Sequence, residues 1–162
     1  MPSHRSETMI DNDNFLEILK FPNPELLRVS EPVTSFNEGL YNLEQMMFAT
    51  MIANHGIGLA APQVNIFQRF FVVKLFPRSE ELVFINPEIT QVSENVVGME
   101  EGCLSFPGES ILIERPISIH ARFQNNNGKW KEQIMGGMLA KVYQHELDHL
   151  NGKLIRGVNG IS

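Results

Sequence analysis

The stretch GMLAKVYQHELDHLNG, residues 137–152, decides how this chain is read. It predicts a helix from about Gly137 to Leu150, with Met138, Leu139, Val142, Tyr143, Leu147 and Leu150 making it apolar on most sides. A helix of that kind is buried rather than surface-lying. At about 100° per residue, His145, Glu146 and His149 share an arc of roughly 100°. Both imidazoles can then reach one metal ion, with Glu146 directed at a water beside it. Two core histidines satisfied by local hydrogen bonds are the plainer alternative. Burying two imidazoles and a carboxylate is costly unless each has a partner, so this pattern favours the metal.

Working outward, the segment before the helix reads as strands. RFFVVKL (69–75) and LVFINP (82–87) are short β-rich runs, the second expected to close at Pro87. ISIHARF (117–123) alternates, with Ile117, Ile119, Ala121 and Phe123 on one face. NNNG (125–128) is the turn before KWKEQI (129–134), which makes a hairpin. Nearer the start, FNEGLYNLEQMMFATMIAN (36–54) predicts a helix with Leu40, Leu43, Met47, Met51 and Asn54 at three- and four-residue steps. That methionine stripe reads as core. Strands precede the motif helix without βαβα alternation, so the expected class is α+β: antiparallel sheets packed around a buried C-terminal metal-binding helix, with an N-terminal helix. We expect a single domain over residues 1–162, with residues 1–14 a loose tail.

Composition sets outer bounds. Hydrophobic residues make up 43% and charged residues 20%, the balance of an ordinary globular chain. A net charge of −6 argues against a non-specific nucleic-acid or anionic-membrane surface. There is no nucleic-acid motif, and no apolar run approaches the ~20 residues of a membrane span. The polar start MPSHRSETMIDNDNF has no secretory core, and one cysteine fits a reducing compartment. A cytoplasmic protein is the expectation.

Two histidines do not complete a metal site. After His149, the segment NGKLIRGVNGIS contains no His, Cys, Asp or Glu, so the third ligand is expected upstream. Cys103, His4, His55, His120 and several carboxylates are candidates. His120 points away from the apolar face of its strand and is expected in solvent; His4 lies in the tail. Cys103 sits in MEEGCLSFPGES (99–110), which has little helical or strand periodicity. A lone cysteine is often a small buried hydrophobe, but no better soft ligand is present.

GIGLAAPQ (56–63), EGCLS (101–105) and QHELDHLNG (144–152), in this order, carry a resemblance. Together they resemble the three signature motifs of the peptide deformylases, and the likeness extends from about Ile18 to Leu154. It implies Cys103, His145 and His149 as ligands of Fe²⁺, with Zn²⁺, Ni²⁺ or Co²⁺ as other occupants. It implies hydrolysis of the formyl group from the N-terminal formylmethionine of new polypeptides, releasing formate. Formylmethionyl nascent peptides, met at the ribosome, are then the partners, and the enzyme is expected to be a monomer.

The chemistry needs an activated water, oxyanion donors and a protonated leaving amine. Glu146 is expected to move the proton. The resemblance nominates the Gln63 amide and the Leu104 backbone N–H as oxyanion donors. Gly56, Gly58, Ala60 and Ala61 let substrate main chain approach closely, and it can add as a strand there. Gly58, Ile57, Met99, Met138 and Val142 are the expected substrate-binding residues. The resemblance further implies that Glu101 and Arg115 pair and support the cysteine loop. Lys141, one turn before His145, departs from the family pattern; it either weakens cation binding or turns to solvent. The short segment after the motif is a second departure. Other amidases or peptidases, a non-catalytic metal domain and a thiol hydrolase using Cys103 are the competing readings.

Overall fold

The computed structural model describes residues 15–155; the tail expected over residues 1–14 lies outside the described residues. The organising element is the strand Phe70–Val73 (β2), whose four residues are all buried. Phe70 and Val72 join one apolar cluster and Phe71 and Val73 another, so the run FFVV supplies core to both faces of a sheet. That is why it shows no polar alternation.

The first face is covered by helix α1, Glu38–Ala53, which buries Leu40, Met47, Phe48 and Met51. Its first turn is capped by Asn37, whose side-chain oxygen accepts from the Leu40 N–H at 3.0 Å. Two details depart from expectation. Asn54 is the exposed C-cap and not part of the stripe. Glu44, one position from Leu43, is fully buried instead of solvent-facing.

The second face is covered by helix α2, Gly137–Leu150, with the predicted bounds. It stops at Gly152, whose φ of +73° suits glycine. A side chain there would also collide with the Leu27 carbonyl, so the turn is fixed sterically as well as by conformation.

Five strands form the sheet in the order β1 (Gly58–Ala60), β2, β3 (Leu82–Val92), β6 (Ser118–Gln124) and β7 (Trp130–Gly136), all pairings antiparallel. The predicted hairpin is β6–β7, and β1 is an edge. β3 does not close at Pro87. Its register shifts between Ile85 and Glu88, and the extra length is absorbed as a bulge. Asn86, at φ +49°, anchors that bulge by exchanging two 2.9 Å bonds with the Val33 backbone. Ile119, Ala121 and Phe123 are buried, but Ile117 precedes β6 and is exposed.

The cysteine segment is also a correction. Val96–Cys103 (β4) and Phe106–Pro116 (β5) pair as a separate two-stranded ribbon. Its inward face carries Glu101 and Arg115 while Val96 and Leu112 are exposed, so hydrophobicity does not follow burial and no alternation marked it as strand. The ribbon's turn carries Leu104 and Ser105 beside α2. The fold thus brings an edge strand, a ribbon turn and a buried helix to one place.

Candidate active site

α2 carries His145, Glu146 and His149 inward, all buried. Cys103 ends β4 in the ribbon turn, and its Sγ lies 3.3 Å from His149 Nε2. One ligand atom each from Cys103, His145 and His149 lie within 4.8 Å of one another. A thiolate and two imidazoles at that spacing suit a borderline-soft divalent cation.

The surroundings fit a cation too. Glu101, on β4, accepts from His145 Nδ1 at 2.9 Å and from Arg115 Nε and Nη2 at 2.6 and 2.9 Å. The first bond fixes the ring so that Nε2 faces the cleft. Arg115 also reaches Asp148 at 3.0 Å. Burial alone would raise the Glu101 carboxyl, but the bonds from His145 and Arg115 prevail and hold it at about 2. Burial would likewise lower His145, yet Cys103 and Glu101 draw the ring to about 10, so positive charge is welcome there. Burial, with His145 and Arg115 nearby, keeps His149 well below its ordinary value. The pair implied by the resemblance is present, and Glu101 also holds the His145 ring.

Glu146 is different. Among the described residues its Oε1 has no hydrogen-bond partner, and Oε2 stands 4.0 Å from His145 Nε2. Burial pushes its carboxyl up to about 7, against the opposing influence of His145. The space for it is made by Gly58: a Cβ on that residue would lie 2.6 Å from Glu146 Oε2 and 2.9 Å from Val142 Cγ1. Gly56 similarly makes room for Leu104, whose Cδ1 would be 2.7 Å from an added Cβ.

Gln63 follows β1 in a 3₁₀ turn and is buried. Its Oε1 accepts from the Ala60 N–H at 2.9 Å. The amide nitrogen therefore faces the site, 3.0 Å from Ser105 Oγ and 3.5 Å from Cys103 Sγ. Ser105 in turn donates to the Leu19 carbonyl at 2.7 Å. Leu104 lies one peptide beyond Cys103 in the ribbon turn.

A cavity of about 550 Å³ opens here, with Ile57, Gly58, Gln63, Cys103, Val142 and Glu146 among its walls. Met99 and Met138 are not on it. They line a second cavity of about 240 Å³ on the other side of Glu101 and Lys141. His120 is exposed, as expected, and His55 lies on the cleft rim. Lys141 turns neither fully out nor toward the ligands: its Nζ donates to the Glu100 carbonyl at 3.3 Å. Asp148 and Ser105 were overlooked in the sequence although both lie inside the quoted motifs. Their signal was position in those blocks, between residues already assigned.

A buried His-Glu-x-x-His helix joined by a cysteine and a glutamine defines the class as a metal-dependent hydrolase. The polypeptide deformylase family model matches residues 15–157, and the chain belongs to that family. It is 44% identical over 135 residues to the peptide deformylase of Thermotoga maritima strain MSB8, covering 83% of this chain and 81% of the relative. The crystal structure of a Thermotoga maritima peptide deformylase superposes with a TM-score of 0.85 at 42% identity, covering 91% of this chain and 98% of that one. A class I type b peptide deformylase from Acinetobacter baumannii gives 0.83 at 34% identity, covering 89% and 98%.

Proposed function

We propose that the chain removes the formyl group from the N-terminal formylmethionine of newly made polypeptides, releasing formate. The observation that carries this reading is Glu146: a buried carboxylate with a free oxygen, beside the Cys103–His145–His149 group and facing the cleft. The family membership supports it, as does the Acinetobacter baumannii relative, whose structure is of a Met-Ala-Ser complex.

Cys103, His145 and His149 would hold the metal, which we take to be Fe²⁺, with Zn²⁺, Ni²⁺ or Co²⁺ as alternatives. When bound, such a cation supplies Lewis acidity, acidifying water and polarising a carbonyl. Glu146 accepts the proton of the attacking water and passes it to the departing nitrogen, work suited to a carboxyl poised near neutrality. The Gln63 amide and the Leu104 N–H donate to the developing oxyanion; both are neutral and do not oppose a nearby cation. Substrate main chain adds along the edge of β1. Ile57 and Val142 flank the methionyl residue in the cleft.

The setting implied is a cytoplasmic monomer acting on formylmethionyl chains as they leave the ribosome, organised as one catalytic domain. Among the described residues, no helix is long and apolar enough to cross a membrane. The Cys103–His149 contact supports one other reading, a thiol hydrolase. Formate release from a formylmethionyl peptide, measured with Fe²⁺ under anaerobic conditions and again after chelation, separates the two. Loss on chelation supports the deformylase; activity that survives chelation but not thiol alkylation sinks it.

A further inference from the structure

Among the described residues asparagine precedes glycine twice, at Asn127–Gly128 and Asn151–Gly152. Such a pair is reactive, because glycine has no side chain to shield its backbone nitrogen from the preceding amide. Once deprotonated, that nitrogen can attack the asparagine Cγ. The new C–N bond closes a five-membered succinimide, and the side-chain nitrogen leaves as ammonia with the electrons of the bond that breaks. Water then opens either carbonyl of the ring, giving aspartate or an isoaspartate whose main chain runs through the side chain. One water is consumed and one ammonia released, with no oxidant or reductant.

The backbone treats the two pairs almost alike. Gly128 has φ +77° and Gly152 φ +73°. The Gly128 N–H donates to the Asn125 carbonyl at 2.9 Å, and the Gly152 N–H to the His149 carbonyl at 3.1 Å. Both asparagines are exposed. Their side chains differ. In the β6–β7 turn the Asn127 backbone N–H is engaged by Asn125 Oδ1 at 2.9 Å, but nothing among the described residues holds its side-chain amide. Asn151 Oδ1 accepts from Arg69 Nη2 at 2.8 Å, and Nη1 of the same guanidinium donates to the Leu150 carbonyl at 3.1 Å. The Asn151 amide must give up this cation before its Cγ can turn onto the Gly152 nitrogen. Breaking a hydrogen bond to a charged group slows such a step by a factor of about 10–100.

We propose that Asn127 is a deamidation site of this protein, and that Arg69 shields the otherwise equivalent Asn151. Where the two pairs lie gives the difference its consequence. The β6–β7 turn supplies no wall of the cleft, so a new carboxylate there stands apart from the site. Asn151 is the C-cap of α2, the second residue beyond His149. Isoaspartate at that position would lengthen the main chain at the end of the helix that carries both histidines. Arg69 thus protects the metal-binding helix from covalent ageing, while the turn is left to react. The inference goes beyond the deformylase reading and does not depend on it.

The test incubates wild type, Arg69→Ala and Arg69→Lys in mildly alkaline buffer and samples them over time, with guanidinium-unfolded wild type alongside. Trypsin cuts after Arg122, Lys129, Lys141 and Lys153, so Asn127 and Asn151 fall in different peptides, and mass spectrometry measures the acid form of each. In the folded wild type Asn127 should convert about 10–100-fold faster than Asn151, and unfolding should bring the two rates together. Arg69→Ala should speed Asn151 and leave Asn127 unchanged. Arg69→Lys keeps the charge without the forked donor, so its Asn151 rate should fall between the other two. An Asn127 that stays amidated in the folded wild type, or an Asn151 that converts as fast, would overturn the proposal without any variant. A rise at both sites in Arg69→Ala, or at neither, would remove Arg69 as the shield, and so would an Asn151 rate unaltered in Arg69→Lys.

Discussion

Helices α1 and α2 cover opposite faces of the same buried strand, and each carries a glutamate into the interior. On α1, Glu44 has no exposed surface, and among the described residues its carboxylate oxygens make no hydrogen bond of normal geometry, with only the Asn126 side chain near enough to offset part of the burial. On α2, Glu146 has one unpartnered oxygen, but it stands beside two histidines, a cysteine and an open cleft. Burial raises both carboxyls to about 7. The same physical penalty thus falls on two sites of different character. A buried carboxylate marks chemistry only where substrate can reach it and other groups converge on it; isolation alone marks a stability cost. Glu101 is the third member of the comparison. Wired to Arg115 and His145, it is held at about 2 despite deep burial.

The largest expected effect separates Glu146 from Glu44 by activity. Glu146→Gln keeps the side chain's shape and removes the base, so kcat should fall by about 10²–10⁴. Glu44→Gln should leave formate release within a factor of about two. Kinetics on metal-loaded enzyme check both, and a Glu146→Gln enzyme within tenfold of wild type would undo the distinction. Glu101→Gln comes next. It breaks a buried pair, leaves Arg115 with Asp148 alone, and should cost roughly 3 kcal/mol in denaturant unfolding. Because His145 loses its orienting acceptor, metal affinity should fall by about 10–100-fold. Stability lost without any loss of affinity would make Glu101 a purely structural residue.

A third experiment tests how closely Glu146 is seated. Gly58→Ala introduces a methyl group 2.6 Å from Glu146 Oε2 and 2.9 Å from Val142. The carboxylate must shift, and a displacement near 1 Å at a catalytic group costs up to about 100-fold in kcat. Val142→Ala in the same chain clears one of the two contacts and should recover part of the loss; no recovery would point to altered backbone in β1.

Much of this was legible in the sequence, and unevenly so. α2 could be bounded because its apolar residues and its histidines obey one period. The β6–β7 hairpin was equally plain, with alternation on one strand and a turn at NNNG. The β4–β5 ribbon was not, because its buried side includes the charged Glu101 and Arg115 while its exposed side keeps Val96 and Leu112, so hydrophobicity does not alternate along either strand. Pro87 misled for a related reason: a proline ends a regular ladder, but at a bulge its missing N–H costs nothing. At the site, the three motifs supplied the converging residues, yet helical proximity placed Met138 with the histidines when it faces another cavity. Position along a helix gives an arc, not the neighbour that the arc meets. Glu44 escaped notice altogether, since a lone glutamate within a helix is ordinarily a surface residue.

Glu44 gives the smallest effect and the sharpest check on the comparison. Its carboxyl rises from 4.5 to about 7, by burial first, with the Asn126 side chain offering partial relief. Between those two values the folded protein keeps a proton that the unfolded chain has released. Unfolding free energy contributed by this group therefore falls as pH rises from about 4.5 to 7, and stays low above 7. A shift of this size corresponds to at most about 3 kcal/mol, and relaxation around the carboxylate brings the expected figure to 1–3 kcal/mol. Glu44→Gln is neutral throughout, so it should be more stable than wild type at pH 8 and nearly equal to it at pH 5. Denaturant unfolding of both proteins at the two pH values measures the difference. A gain equal at both would assign the benefit to packing or hydrogen bonding rather than charge. A loss at pH 8 would mean that the buried carboxylate has a favourable partner in solution, and that α1 resembles α2 more closely than its geometry implies.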